Sequence, residues 1–405
     1  MNPLINKHIL LGVTGSIACY KAADLASKLR QAGAEVDVIL TGAARQFVTP
    51  LTFQSVTGQR AYVDDDLWGD EGHVLHIGLA QKADALLIAP ATANTMAKLA
   101  HGQADNLLSL TALAAECPLL IAPAMDGGMF TNAATQANLE ILKQRGATIL
   151  GPAEGHLASG LKALGRMVEP QELVGHLRVT LAADGTLAGK HVVVTAGGTR
   201  ETIDPVRFIS NRSSGRQGYA LAQAALDVGA EVTLITGPTN LTPPIGVQLV
   251  DVASTEDMKS AVLEVVAGAD ALLMAAAVAD FRPAKVSEQK IKKAGKTPSI
   301  ELALNPDILL EVAKQKKQSG FPKVTVGFAA ESQDLLENAR GKLEKKALDM
   351  IVANDISAKD AGFAVETNRV TLLHKDGTQE DLPLMSKDEV AQAVVQQVAA
   401  LLEKA

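Results

Sequence analysis

The sequence lacks what several special classes of protein require. Its 405 residues include only two cysteines, Cys19 and Cys117. Two thiols cannot form a disulfide framework, and no Cys-x-x-Cys pair offers a metal site; a reducing, cytoplasmic setting fits. Basic residues are not in excess. The formal net charge of −7 argues against a general nucleic-acid binder and leaves only local basic clusters to hold phosphates. No long apolar run is unbroken. The most apolar internal stretch, Leu108 to Met125, is interrupted by Glu116, Pro118 and Pro123. Nothing therefore meets the roughly 20-residue requirement for a membrane-spanning helix. The N-terminal run HILLGV meets Gly12 and Gly15 at once, which reads as a strand rather than a signal peptide. Aromatics are scarce at 3%, whereas glycines number 33, a mix that suits helices packed closely on a parallel sheet. With 47% hydrophobic residues there is enough apolar surface to exclude disorder as the main state.

What is present is an alternation of strands and helices. HILLGV, EVDVIL, ALLIAPAT, PLLIAPAM and TILG read as strands. Helices are expected over Ser16 to Ala32 and near Asn132 to Arg145. A weakly periodic stretch, LAADGTLAGK at 181–190, breaks the pattern, and HVVVTAGGTRE then restarts it. GAEVDVILTGA at Gly33 to Ala43 is echoed by GAEVTLITGP at Gly229 to Pro238. The expectation is an α/β protein of two doubly wound, Rossmann-like domains, residues 1–185 and 186–405. In the second half ALLMAAAVADF, VTVGFAA and LDMIVAND read as strands, and Arg282 to Ile300 as a lysine-rich loop. A hairpin turning at Asp376-Gly377 and a closing helix from Lys387 to Lys404 complete the chain.

The polar loops sit where a parallel sheet binds ligands. GVTGSIA, Gly12 to Ala18, joins a strand to a helix, where backbone N–H groups and Ser16 suit a phosphate. The spacing is not G-x-G-x-x-G, so a dinucleotide fingerprint is absent and a plain tight turn is the alternative. Thr92, Asn94 and Thr95 in PATANT, and Asp126 in PAMDGGMF, follow strand ends on the same edge. His76 precedes a strand; a lone histidine is more often structural than catalytic. In the second half Asn211, Ser213, Ser214 and Gly215 precede a helix, either as a phosphate site or as an ordinary cap. Lys290, Lys292 and Lys293, then Lys342 and Lys346 at i, i+4, are surface charge or a polyphosphate site.

Taken together the motifs resemble a family: the bifunctional coenzyme A biosynthesis proteins, in which a phosphopantothenoylcysteine decarboxylase is fused to a phosphopantothenate–cysteine ligase. The resemblance covers essentially the whole chain. GVTGSIA, His76, PATANT and PAM-x-x-x-M are similar to the flavin-dependent decarboxylase; TAGGTRE, DPVRFISNRSSG, AAAVADFRP, KIKK, NPDIL and VGFAAE are similar to the ligase. The resemblance implies a CTP-dependent ligase that activates the carboxylate of 4′-phosphopantothenate as an acyl-cytidylate, which the amine of cysteine then attacks. A carboxylate is a poor electrophile without a leaving group, and the charge concentrated in this step calls for cations and Mg²⁺. By motif, Asn211 would contact the acyl intermediate and Lys290 would assist activation. Ala275, Ala276, Asp280, Lys290, Pro306, Asp307, Ile308, Leu309, Phe328, Lys342 and Lys346 would line the CTP site.

For the first half the resemblance implies FMN held by Gly15, Ser16, Thr41, Thr52, Thr92 and Ser109, with His76 as the active-site histidine. Flavin oxidation of the cysteinyl thiol to a thioaldehyde lets CO₂ leave, and the ene-thiol is then reduced to 4′-phosphopantetheine. Two positions depart from the family pattern. Asp126 stands where an Asn is usual, and Ser159 where the flap usually carries a catalytic Cys. A serine hydroxyl is a far weaker acid than a thiol, so Asp126 would be the substitute donor on condition that burial raises its pKa. The alternatives are a first domain that stops at the ene-thiol or serves only as a flavin-binding assembly module. A nicotinamide-dependent oxidoreductase is disfavoured by the missing fingerprint. The resemblance further implies homo-oligomers, ligase dimers and flavoprotein trimers building up to a dodecamer, with no nucleic-acid or membrane partner. It leaves the metal ligands unassigned.

Overall fold

A computed structural model describes residues 2–68, 74–158, 160, 162–292, 299–331, 335–355 and 367–404. Ser159, and Lys293 of the KIKK cluster, lie outside them. The chain divides into two compact units, residues 2–181 and 182–405.

The first unit is built on β1 (His8–Val13), β2 (Glu35–Leu40), β3 (Ala61–Val63), β4 (Ala85–Ala91), β5 (Leu119–Pro123) and β6 (Thr148–Ile149). They form one parallel sheet in the order β3-β2-β1-β4-β5-β6. Alternate side chains of β1 serve opposite faces: Ile9, Leu11 and Val13 enter one core and Leu10 the other. Burial on both faces explains why these strands are continuously apolar instead of alternating. The expected first helix runs Cys19–Gln31; Cys19, Ala22, Leu25, Ala26 and Leu29 recur at helical spacing and are buried on one face. After β6 an antiparallel hairpin, β7 (Ala153–His156) with β8 (Lys162–Arg166), folds back over the sheet's ligand edge. Gly165 at its base has φ +151°, and a Cβ there would lie 2.1 Å from the Met125 carbonyl oxygen. Only glycine allows this approach.

The second unit repeats the plan. Its sheet uses β9 (His191–Ala196), which is followed by the hairpin β10 (Arg200–Thr202) and β11 (Phe208–Ser210). Then come β12 (Glu231–Thr236), β13 (Gln248–Asp251) and β14 (Ala271–Met274). A second pair, β15 (Phe281–Pro283) and β16 (Leu302–Leu304), precedes β17 (Val324–Glu331) and β18 (Met350–Asp355). β19 (Thr367–Asn368), β20 (Val370–His374), β21 (Gln379–Asp381) and β22 (Met385–Ser386) follow. The sheet order is β13-β12-β9-β14-β17-β18-β20-β21, parallel from β13 to β18 and closed by the antiparallel β20 and β21. Those last two strands are the expected hairpin, with Gly377 at φ +89° in its turn. The closing helix is Lys387–Leu402, started by a capping box between Ser386 and Glu389. The stretch from Arg282 begins inside β15 and so is not loop throughout.

In both sheets the strand order reverses between the first and fourth strands, which pair parallel. That switch point is where a doubly wound sheet opens a crevice at its carboxyl edge. Both are also locked at the opposite edge in the same way. Asp84, just before β4, accepts from the His8 N–H (2.8 Å) and from the Lys7 ammonium (2.8 Å). Asp270, just before β14, accepts from the His191 N–H (3.0 Å) and from the Lys323 ammonium (2.9 Å). Burial alone would raise both carboxyls, but these donors outweigh it and hold each below its usual range.

Candidate active sites

In the first unit a cavity of about 480 Å³ lies beyond the ends of β1, β4 and β5, under the β7–β8 hairpin. Gly15 and Ser16 come to it from the loop after β1, Thr92 from the end of β4, and Asp126 from the end of β5. Thr92 caps the helix Ala93–His101, accepting from the Thr95 N–H (3.3 Å), and its own N–H donates to Thr14 Oγ1 (3.0 Å). Gly15 is held against the next loop, where a Cβ would meet that of Ala43 at 2.5 Å. Asp126 is half-buried and caps the short helix Gly127–Thr131, accepting from the Gly128 N–H (2.9 Å). Ile17, Phe47, Met125 and Met129 give the cavity apolar walls.

The other expected flavin residues are not brought to this cavity. Thr41 is buried, with its hydroxyl turned to the Val13 carbonyl oxygen (3.4 Å). Thr52 sits in the helix Pro50–Thr57 beside Thr49, their hydroxyls 3.3 Å apart. Ser109 completes a capping box with Asn106 and lines a different hollow of about 550 Å³. His76 is half-buried in the helix Leu75–Lys82, away from the cavity lining. Neither cysteine lines the cavity; burial pushes both thiols up, and Cys19 Sγ–H donates to the Thr14 carbonyl oxygen (3.2 Å). His156, Lys21 and Arg166 were not singled out from the sequence but do line it. Their only signal is membership of the hairpin or of the first helix. Lys21 is committed to Glu169 (2.9 Å).

In the second unit a cavity of about 440 Å³ opens beyond the ends of β9, β14, β17 and β18. It gathers Asn211, Ala275, Ala276, Asp280, Pro306, Asp307, Ile308, Leu309, Phe328, Lys342 and Lys346 in one wall. The strand-end backbone is fixed by buried hydroxyls: Ala276 N–H donates to Thr195 Oγ1 (3.1 Å) and Ala279 N–H to Thr199 Oγ1 (3.0 Å). Asn211 bridges to this segment, its Nδ2 donating to the Ala277 (3.3 Å) and Val278 (3.0 Å) carbonyl oxygens. Gly215, at φ +77°, turns the chain into the helix Arg216–Leu226, whose N-terminus faces the cavity. Asp307 caps the helix Ile308–Ser319 and pairs with Lys346 (3.0 Å). Gln217, Asn354 and Asn368 also line the cavity, and each leaves a buried amide oxygen without a partner. Buried polar atoms of this kind mark a cavity shaped for a polar ligand. Asn368 lies just before β20, with nothing in the sequence to mark it.

Lys290 is exposed and does not line the cavity. It follows β15, on an arm that leaves the cavity rim at Asp280; Asn305, just after β16, returns to the same rim. Among the described residues no group of three His, Cys, Asp or Glu side chains could hold a metal ion, and no helix is long and apolar enough to cross a membrane.

A cavity at the switch point of each doubly wound sheet, apolar-walled with polar strand ends in the first unit and polar in the second, defines a two-unit α/β protein with a ligand edge in each half. Residues 2–181 match the family described as Flavoprotein. Residues 187–402 match the DNA/pantothenate metabolism flavoprotein C-terminal domain. The chain is 46% identical over 401 residues to the coenzyme A biosynthesis bifunctional protein CoaBC of Bacillus subtilis (strain 168), covering 98% of each. It is 48% identical over 399 residues to CoaBC of Vibrio cholerae serotype O1, again covering 98% of each. A crystal structure of the C-terminal domain of a CoaBC protein is matched at 41% identity and TM-score 0.47, over 55% of this chain and 100% of that one. The chain belongs to the bifunctional coenzyme A biosynthesis proteins, and it is a ligase and decarboxylase of that biosynthesis.

Proposed function

We propose that residues 186–405 couple 4′-phosphopantothenate to cysteine at the expense of CTP, and that residues 1–185 decarboxylate the product with FMN. The observation that carries the ligase assignment is the single cavity that gathers Asn211, the Ala275–Asp280 segment, the Pro306–Leu309 turn and the two lysines. The N-terminus of the helix Arg216–Leu226 and the ammonium groups of Lys342 and Lys346 suit a triphosphate. Asn211, fixed at the rim by two carbonyl oxygens, contacts the acyl intermediate formed when the carboxylate attacks the α-phosphorus. Pyrophosphate leaves, and the cysteine amine then displaces cytidylate from the acyl carbon. Mg²⁺ commonly binds through one or two carboxylates plus phosphates, and Asp280 at the cavity fits that role, Asp307 being paired with Lys346. Lys290 assists the charge-concentrating step from its arm.

For the decarboxylase, the apolar walls and the polar strand ends at Gly15, Ser16 and Thr92 fit a flavin phosphate and ring. FMN, when bound, supplies a reversible two-electron acceptor. The hairpin β7–β8 covers the substrate and excludes water. Asp126 donates the proton at carbon that a flap thiol at position 159 would otherwise give. By the family pattern His76 is the active-site histidine, and Thr41, Thr52 and Ser109 are further FMN contacts.

We also propose a cytoplasmic homo-oligomer with no nucleic-acid or membrane partner. Val206, Phe208, Phe281, Val286, Ile300, Leu302 and Leu304 are exposed on the two arms beside the ligase cavity, which supports covering by a second copy. The ligase reading is tested by pyrophosphate release with CTP and 4′-phosphopantothenate before cysteine is added. Release that needs both supports the acyl-cytidylate; release only after cysteine addition would sink it.

A further inference from the structure

We propose that Asp204 is a positioning residue for the coupling reaction, latching together the two arms that carry Asn211 and Lys290. This rests on the reading of Asn211 and Lys290 given above. The hairpin β10–β11 ends at Ser210 and delivers Asn211 to the cavity rim. The arm after Asp280, described as far as Lys292, leaves the same rim, and Lys290 lies ten positions along it. A lysine on so long an excursion needs its backbone fixed before its ammonium can act in register with Asn211.

Asp204 supplies the fixing point. It is 1% exposed and does not line the cavity. Its carboxylate accepts from the N–H groups of Val206 and Arg207 (2.9 Å each), from Arg207 Nε–H (3.0 Å) and from Arg207 Nη2–H. Across to the other arm it accepts from the Ile291 N–H (3.1 Å). Arg207 Nη2 also donates to the Ile291 carbonyl oxygen (3.0 Å). Both backbone groups of the residue after Lys290 are therefore held. A third bond, from the Ser287 N–H to the Ile203 carbonyl oxygen (3.0 Å), continues the seam. The turn 204–207 needs only its own two N–H groups satisfied; the bonds to Ile291 reach 84 and 87 positions along the chain and join two separate arms. The Arg207 guanidinium holds the Asp204 carboxyl far below the usual carboxylate range, so the latch stays ionised at neutral pH.

The test is a four-cornered cycle on the full chain: the natural protein, Asp204→Asn, Lys290→Ala and the double variant, read as kcat/KM for CTP-dependent coupling. Asp204→Asn is expected to lose about tenfold to a hundredfold, as a small misplacement of a reacting group does. Lys290→Ala should lose more, and the double variant should match Lys290→Ala alone within about twofold, because a residue acting through Lys290 has nothing left to position. Backbone hydrogen exchange should quicken at Ser287 and Ile291 in Asp204→Asn and stay unchanged in β14. Arg207→Lys, which keeps the charge and loses the fork, is the second variant should Asp204→Asn not fold; a smaller loss, also absorbed by Lys290→Ala, is expected. Losses that multiply in the double variant would overturn the latch while leaving the Lys290 role intact. Full activity in Lys290→Ala would overturn that role and the latch with it.

Discussion

Laid strand for strand, the two units share the order 3-2-1-4-5-6, the same carboxylate lock at the edge away from the cavity, and a crevice at the switch point. They differ in how much of an expected site the crevice collects. In the second unit the CTP residues proposed from the family pattern line one cavity, with Lys290 alone outside it. In the first, Gly15, Ser16 and Thr92 line the cavity while Thr41, Thr52, Ser109 and His76 do not. The difference follows from which elements carry the residues. Strand ends and the helix starts after them converge at a switch point by topology. Residues inside helices, such as Thr52 and His76, are placed by packing instead. The contrast is thus one of placement: the second crevice collects nearly all the residues of its family pattern, the first only those at strand ends.

The largest expected effect separates the halves cleanly. Asn211→Ala should cut kcat/KM for coupling by about 10²- to 10³-fold, the scale for removing one preorganised polar group from a charged transition state. Decarboxylation of supplied phosphopantothenoylcysteine should be unchanged; parallel losses in both steps would break the division. The reciprocal variant, Asp126→Asn, should slow formation of the saturated product by about 10²-fold, leave coupling intact and let the unsaturated thiol accumulate, as mass spectrometry would show. Unimpaired reduction would remove Asp126 from the mechanism.

Stability predictions are smaller. Glu201, 4% exposed on β10, accepts from the N–H (3.0 Å) and hydroxyl (2.8 Å) of Thr255 at the start of the helix Thr255–Val265. Glu201→Ala should destabilise the second unit by about 1–3 kcal/mol, the cost of leaving buried donors unsatisfied, and denaturant melting would measure it. Asp84→Ala and Asp270→Ala should each cost about 1 kcal/mol, and each in its own unit. Both carboxyls are depressed on folding, so their contribution is present above the ordinary aspartate pKa near 4 and fades as pH falls through the lower folded value. The gap in melting temperature between each variant and the natural protein should therefore shrink as the pH is lowered below about 4. A gap that widened on acidification would mean the locks act by something other than charge.

Much of this architecture was legible in the sequence because its signals are local. Continuous apolar runs of about six residues between glycine loops have few readings other than buried parallel strands. GAEVDVIL and GAEVTLIT mark the second strand of each half, and the Asp376-Gly377 turn announces its hairpin. Ala275 to Asp280 and Pro306 to Leu309 come from the family resemblance; they line one cavity because each stretch directly follows a strand end. What escaped was set by tertiary packing. Asn368 reaches the ligase cavity from a short strand with no motif of its own, and Gln217 from the first turn of the helix Arg216–Leu226, two positions past the NRSSG run. His156 joins the flavin-side cavity only because a hairpin folds back, with Gly165 pressed on Met125. The latch at Asp204 was hidden because its partner, Ile291, lies in a stretch that reads as polar loop.

The most direct measurement follows one reaction to its end. The purified protein is given CTP, Mg²⁺, 4′-phosphopantothenate and cysteine, and the products are read by mass spectrometry. The account predicts phosphopantothenoylcysteine first, then its conversion to 4′-phosphopantetheine by loss of carbon dioxide alone. Phosphopantothenoylcysteine that accumulates without losing carbon dioxide, on protein carrying its flavin, would contradict it and confine the chemistry to the second unit.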